Sequence, residues 1–222
     1  MEKNLKSFLN QYFALEIIPG KKIRIPYWRN KFPPWGGRIQ GPYGGKGMPA
    51  QIKRITLKKA KQARINLTDL NSDQIRNFMK QKKIGVECSG FTFQVLNFLK
   101  PGFYKHLKKA PGISPNPIRR FNAAALTSAE NSRPIKKVKE IQVGDLIAAS
   151  FEKNIIDHVL IIVDISKKEI IYAHSSSQTP TSGPHLGKLK IANPSASPQE
   201  LKFVEKTKRP LKILGIRRIE GQ

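Results

Sequence analysis

A chain of 222 residues that is 39% hydrophobic is long enough to enclose one sizeable core and too apolar to stay disordered. Its formal charge of +26 points toward anionic partners, but the basic residues are spread along the whole chain, lysine exceeds arginine, and no segment has the pattern of a nucleic-acid-binding module. The single cysteine excludes an intramolecular disulfide and a cysteine-based zinc site, and no apolar run approaches the roughly 20 residues needed to cross a bilayer.

Met1 to Leu9 lacks the apolar core and small-residue cleavage site of a secretory signal, which predicts a chain that is cytoplasmic or exported by a non-Sec route. From Glu2 to Leu15 the apolar positions Leu5, Phe8, Leu9, Tyr12 and Phe13 are spaced for one face of a short helix. The stretch from Ile18 to Ala50 is different. Pro19-Gly20, Pro26, Pro33-Pro34, Gly36-Gly37 and Gly41-Pro42 exclude a long helix or a central strand, while Tyr27, Trp28, Trp35 and Tyr43 predict a packed aromatic loop able to line a cleft or cover the core.

Pro49 opens a helix toward Lys61, and Ser72-Asp73-Gln74 opens another that ends near Lys83. Gly85 breaks the chain before a third helix, which starts at Cys88 and runs to about Lys100, where Pro101-Gly102 stops it. Tyr104 to Pro134 is mixed, with prolines at 111, 115 and 117 and a short helix expected over Asn122 to Ala129. From Ile141 the pattern turns to strands: Val143 to Ala149, Ile155 to Ile165, and Glu169 to His174, the last two joined by Ser166-Lys167-Lys168. A short strand is expected around Leu189 to Ile191, after the Ser/Pro-rich Ser175 to Pro184, and a final one from Leu211 to Ile219. Helices first and an antiparallel sheet second define an α+β fold class. The chain divides into an N-terminal helix and aromatic Gly/Pro-rich extension, residues 1–70, packed on a domain of residues 71–222.

Cys88 lies in Gly85-Val86-Glu87-Cys88-Ser89-Gly90, at the first turn of its helix, where free amide N–H groups and the helix dipole favour a thiolate. Two histidines follow on successive strands, His158 and His174. A thiol on a helix start with two downstream imidazoles is the raw material of a nucleophilic site. His106 and His185 read as ordinary surface or core histidines, His185 being near enough to His174 to border a cleft. Asp145 is expected to shape the turn entering its strand, and Asp157 to point to the sheet face opposite His158.

This order of motifs resembles the NlpC/P60 family of papain-like cysteine peptidases. Its catalytic-helix motif is matched by Glu87-Cys88-Ser89-Gly90-Phe91, its strand-entry turn by Gly144-Asp145-Leu146, its His-Val strand by Asp157-His158-Val159, and its third catalytic position by Tyr172-Ala173-His174. The resemblance covers roughly Asp73 to Ile219. It implies a papain-like fold, with the catalytic helix packed on a central antiparallel sheet, and hydrolysis of an amide bond in peptidoglycan-type peptides. Cys88 would be the nucleophile, His158 its ion-pair partner and proton donor to the leaving amine, and His174 the group that orients His158. The Cys88 amide would donate to the oxyanion, with Tyr27 and Tyr43 as candidates for the second donor. Glu87 stands where the family usually has aspartate, and with Ser89 it is expected to hold the amino end of a peptide. Neither a metal nor a cofactor is expected. A peptide or peptidoglycan fragment is the expected partner, with an anionic polymer surface as a second. The competing readings are a papain-like transacylase or hydrolase acting on a non-wall substrate, and an inactive scaffold that binds anionic polymers.

Overall fold

The computed structural model describes residues 1–30, 41–108, 121–151 and 154–219. Trp35 and the prolines at 111, 115 and 117 lie outside the described residues.

Helix α1 (Lys3–Phe13) buries Leu5, Phe8, Leu9 and Tyr12, the stripe its periodicity predicts. The chain then forms a hairpin that the proline-rich sequence concealed: β1 (Leu15–Ile18) pairs antiparallel with β2 (Lys21–Ile23) across Pro19-Gly20. Helix α2 (Pro49–Gln62) starts with proline in its first turn, where no amide hydrogen is missed. Helix α3 (Ser72–Gln81) is capped one residue earlier than expected. Asn71 accepts from the Gln74 amide, and the Gln74 side chain returns a bond to the Asn71 backbone.

Helix α4 (Cys88–Leu99) is of another kind. Every residue from Cys88 to Leu96 is buried, so it is a core helix without a solvent stripe. Helix α5 (Ala123–Leu126) is a single turn capped by Asn122. The remaining elements are β3 (Arg133–Ile135), β4 (Leu146–Ser150), β5 (His158–Ile165), β6 (Glu169–Ser176), β7 (Gly183–Lys190), β8 (Lys202–Phe203) and β9 (Lys212–Arg218). They form a seven-stranded sheet in the order β3-β9-β4-β5-β6-β7-β8, with every pairing antiparallel. The α+β class is therefore the architecture of the molecule.

Alternation along the strands divides the core. Leu146, Val159, Ile161, Val163 and Ala173 face a cluster that holds α4, α1 and the β1–β2 hairpin. Ile147, Leu160, Ile162, Ile170, Tyr172 and Leu189 face a second cluster with Ile213 and Ile216 of β9. The N-terminal segment thus contributes side chains to the same core as the cysteine helix. Rings lock this contact: Tyr12 stands edge-on to Phe91 at 5.0 Å, and Phe8 stacks on Phe98 at 4.5 Å.

In the seven-stranded sheet, β3, β7 and β8 depart from the sequence expectation. β3 and β8 are too short to announce themselves. β7 begins at Gly183, well before Leu189, because Gly183-Pro184 starts a strand that the sequence pattern assigns to a loop. Asp145 does shape its turn: it accepts from the Gln142 amide and from the Arg218 guanidinium at 2.7 Å. Asp157 corrects the expectation that it faces away from His158. It precedes β5, accepts from the Phe151 amide, and lines the same recess as His158.

Candidate active site

The first turn of α4 is held down by close backbone contact. A Cβ on Gly90 would lie 2.2 Å from the Gly45 carbonyl oxygen and 2.9 Å from Lys46 Cα, so only glycine lets the helix press against this loop. The approach carries the Lys46 side chain inward, where its ammonium meets Glu87 Oε1 at 2.8 Å, Ser89 Oγ at 2.7 Å and the Phe121 carbonyl at 2.8 Å. Ser89 Oγ also donates to Glu87 Oε1 at 2.8 Å. Glu87 and Ser89, expected to hold a substrate amine, are therefore engaged by an ammonium of the chain itself. The longer reach of glutamate over aspartate is used within the fold.

Cys88 is 8% exposed. The β5–β6 ladder begins only at Ile161↔Ala173, and ahead of it the Val159 N–H hydrogen-bonds the Cys88 sulfur, as does the Ser89 N–H. Thr92 Oγ1 reaches the Val159 carbonyl at 3.4 Å, and Ser175 Oγ donates to the Val86 carbonyl at 2.8 Å, so the helix start is tied to both strands. His158, the residue before Val159, turns its ring onto His174, with Nε2 2.8 Å from His174 Nδ1. Among the described residues no hydrogen bond joins the sulfur directly to His158. Nδ1 is the ring nitrogen of His158 that His174 does not engage.

The protonation states differ from the ion pair expected above. Burial, and after it the Glu87 charge, push the Cys88 thiol from 9.0 up to about 11, against the opposing pull of the Val159 amide, Lys46 and the Ser89 amide. Burial lowers His158 well below its ordinary value, with His174 adding to the effect. Both shifts favour the uncharged forms of Cys88 and His158, exclusion from water acting against the charge on either side chain.

Behind His158 the site continues further than the sequence indicated. His174 and His185 face each other across β6 and β7, with their Nε2 atoms 2.8 Å apart. Glu205, just beyond β8, places Oε2 2.9 Å from His174 Nε2 and Oε1 against His185 Nε2. The Tyr172 hydroxyl donates to Glu205 Oε2 at 3.0 Å, and His185 Nδ1 lies 2.7 Å from the Gly183 carbonyl. Burial opposes the charge of Glu205, but the hydrogen bonds from His174 and His185 prevail and hold its carboxyl well below the usual carboxylate range. His174 is pushed down to about 4, first by burial. His185 is thus not an ordinary histidine of the cleft border. The signal for it was its register: once β6 and β7 are paired, it falls opposite His174. Glu205 had no local signal.

The cleft opens on the Tyr27 side. A narrow recess of about 50 Å³ lined by Tyr27, Arg29, Phe151, Asp157, His158 and Arg209 adjoins a wider one of about 460 Å³, with Tyr27, Arg29 and Ser177 common to both. Tyr27 has its phenol pushed up by burial and by the neighbouring Cys88 and Glu87. Tyr43 does not join it. Its hydroxyl accepts from Arg54 of α2 at 3.3 Å, its backbone is in the left-handed region at φ 57°, and it is not among the residues that line the recess beside His158. His106 lies in the short turn Phe103–His106, outside this set.

No family model, curated protein or solved structure matches the chain. Among the described residues no helix is long and apolar enough to cross a membrane.

Proposed function

We propose that this protein is a cysteine hydrolase with a papain-like, NlpC/P60-type catalytic domain, cleaving an amide bond in peptidoglycan-type peptides. The observation that carries this reading is the 2.8 Å contact of His158 Nε2 with His174 Nδ1, beside a helix-start cysteine whose sulfur rests on the amide next to His158.

The chemistry follows from a neutral resting pair of Cys88 and His158. When a carbonyl carbon approaches, the Cys88 proton passes to His158 Nδ1 as the carbon–sulfur bond forms. Charge develops on the carbonyl oxygen, and the Cys88 amide, which at the helix start has no intrahelical acceptor, is placed to receive it. The carbon–nitrogen bond then breaks, and His158 returns the proton to the leaving amine. Water, deprotonated by the same nitrogen, attacks the thioester carbon; the carbon–sulfur bond breaks, and His158 returns the proton to Cys88 as the acid product leaves. His174 keeps the His158 ring aimed through both steps.

Two features of the cleft bear on substrate. Arg29 and Arg209 line the recess beside His158, which favours a carboxylate-bearing peptide. Lys46 fills the acid and serine pair, which disfavours recognition through a free amino end.

The test is digestion of purified peptidoglycan and isolated muropeptides by the wild-type protein and Cys88→Ala. New amine termini are expected with the wild type, and a loss of at least about 1,000-fold with the variant. Equal release by both ends the proposal.

A further inference from the structure

The cluster behind His158 contains more contacts than protons can satisfy. His174 Nε2, His185 Nε2 and the Glu205 carboxylate form a closed triangle, two of its sides being 2.8 and 2.9 Å. An ionised carboxylate only accepts hydrogen bonds. If both imidazoles donate to it, two N–H groups confront each other across 2.8 Å. If one imidazole donates to the other, the accepting ring turns a lone pair toward a carboxylate oxygen. As long as the carboxylate is ionised, every arrangement of protons leaves one side of the triangle repulsive, in a place where His174 is fully buried and His185 is 6% exposed.

A cation at the centre satisfies all three sides together. We propose that His174, His185 and Glu205 bind a divalent ion of the zinc class, and that the bound ion holds the neighbouring cysteine site inactive. The second half of this proposal rests on the hydrolase reading above; the first half does not.

The donor set selects the ion. Two imidazoles and one carboxylate suit zinc and its first-row neighbours, whereas magnesium and calcium prefer oxygen donors throughout. Donors about 2.1 Å from a tetrahedral ion stand about 3.4 Å apart, so the two sides on His174 need to open by about half an ångström and the shorter His185–Glu205 side by about one. The surroundings have the form that orients metal ligands: the Gly183 carbonyl takes the Nδ1 proton of His185, and the Tyr172 hydroxyl holds Glu205 Oε2. Topology supplies the ligands from three consecutive strands, His174 from β6, His185 from β7 and Glu205 from the end of β8.

The effect on catalysis follows from where the His174 proton can sit. With an ion on Nε2, the one ring proton of His174 is on Nδ1 and donates to His158 Nε2. The His158 proton must then occupy Nδ1, the nitrogen that His174 does not engage, and the ring cannot take another from Cys88. Without the ion, His174 carries its proton on Nε2 toward Glu205 and accepts from His158 Nε2–H, which leaves Nδ1 of His158 as the base.

The experiment titrates Zn²⁺ into the full-length protein against a chromophoric chelator, with Mg²⁺ as a control, for wild type, Cys88→Ala, His185→Gln and Glu205→Gln, each checked for folding by circular dichroism. One tight equivalent is expected in the wild type and in Cys88→Ala, with affinity at least about 100-fold weaker in folded His185→Gln or Glu205→Gln. Undiminished binding in both folded ligand variants, or its loss in Cys88→Ala, overturns the site. In parallel, Zn²⁺ is expected to slow iodoacetamide alkylation of Cys88 at least about tenfold in the wild type and not in His185→Gln. An unchanged rate in zinc-loaded wild type overturns the regulatory half. Tight zinc binding in a protein that is hydrolytically silent when zinc-free upholds the metal site and removes the hydrolase reading.

Discussion

Two half-buried carboxylates flank the line from Cys88 to His174, and the chain neutralises them in different ways. Glu87 has a resident cation, the Lys46 ammonium at 2.8 Å, and Ser89 completes a set in which every contact pairs a donor with an acceptor. Glu205 has two imidazoles and a phenol, and among the described residues it has no lysine or arginine partner. The first cluster is closed, and it fixes the helix start that carries Cys88. The second lacks a built-in cation among the described residues, and it is the one in contact with His158 through His174. In the proposed enzyme, a charge with its counterion built in serves architecture, and one without it is available for control.

The largest effect is expected at the closed cluster. Lys46→Met removes the buried cation, leaves half-buried Glu87 charged without a counterion and strips Ser89 and the Phe121 carbonyl of a donor, which should destabilise the protein by about 3–5 kcal/mol in urea unfolding. Lys46→Met combined with Glu87→Gln should recover most of that loss. If the single substitution is silent, Lys46 is not what neutralises Glu87, and the contrast between the two clusters collapses.

The second cluster has a weaker point at Gly187. This residue lies opposite Tyr172 in the β6–β7 ladder, and a Cβ on it would stand 2.3 Å from the Tyr172 hydroxyl oxygen and ring carbon. Tyr172 is fully buried and cannot swing aside. Gly187→Ala should therefore cost about 3 kcal/mol of stability by overpacking, and should displace the phenol from Glu205. The measurement is urea unfolding together with Zn²⁺ affinity. A stable variant with unaltered affinity would mean that Tyr172 does not position the carboxylate.

The two clusters also differ in how far sequence patterns reach them. Cys88, His158 and His174 stand in compact local motifs, and the fold brings His158 and His174 into contact while seating the Cys88 sulfur on the adjacent amide. Lys46 lies in a Gly/Pro-rich loop whose path depends on Gly90 admitting close backbone contact, which no periodicity expresses. His185 was concealed by Gly183-Pro184, read as loop, so the strand that places it opposite His174 was shortened from its beginning. Glu205 follows a strand of only two residues and arrives by tertiary packing alone. Helices α1, α2 and α4 were readable because each carries a long apolar or capped pattern, whereas β1, β2, β3 and β8 are too short to show one.

A neutral Cys88 thiol can be separated from a thiolate–imidazolium pair by the sign of a pH dependence. With the folded thiol raised from 9.0 to about 11, the native protein binds more protons than the unfolded chain between those values. Stability from this group is complete below about pH 9 and falls as pH rises toward 11, by about 2–3 kcal/mol. A thiolate held by protonated His158 would have a depressed thiol pKa and the opposite slope, with stability rising as pH passes upward through the folded value. Lysines titrate in the same range, so the quantity to measure is the difference between wild type and Cys88→Ala in urea unfolding at a series of pH values. Wild-type stability falling relative to the variant above pH 9 supports the buried thiol, and with it a mechanism in which His158 takes the proton only as the substrate carbon arrives. A relative rise instead places the charge on sulfur before substrate binds, and burial would then have lost to the helix start and to Lys46.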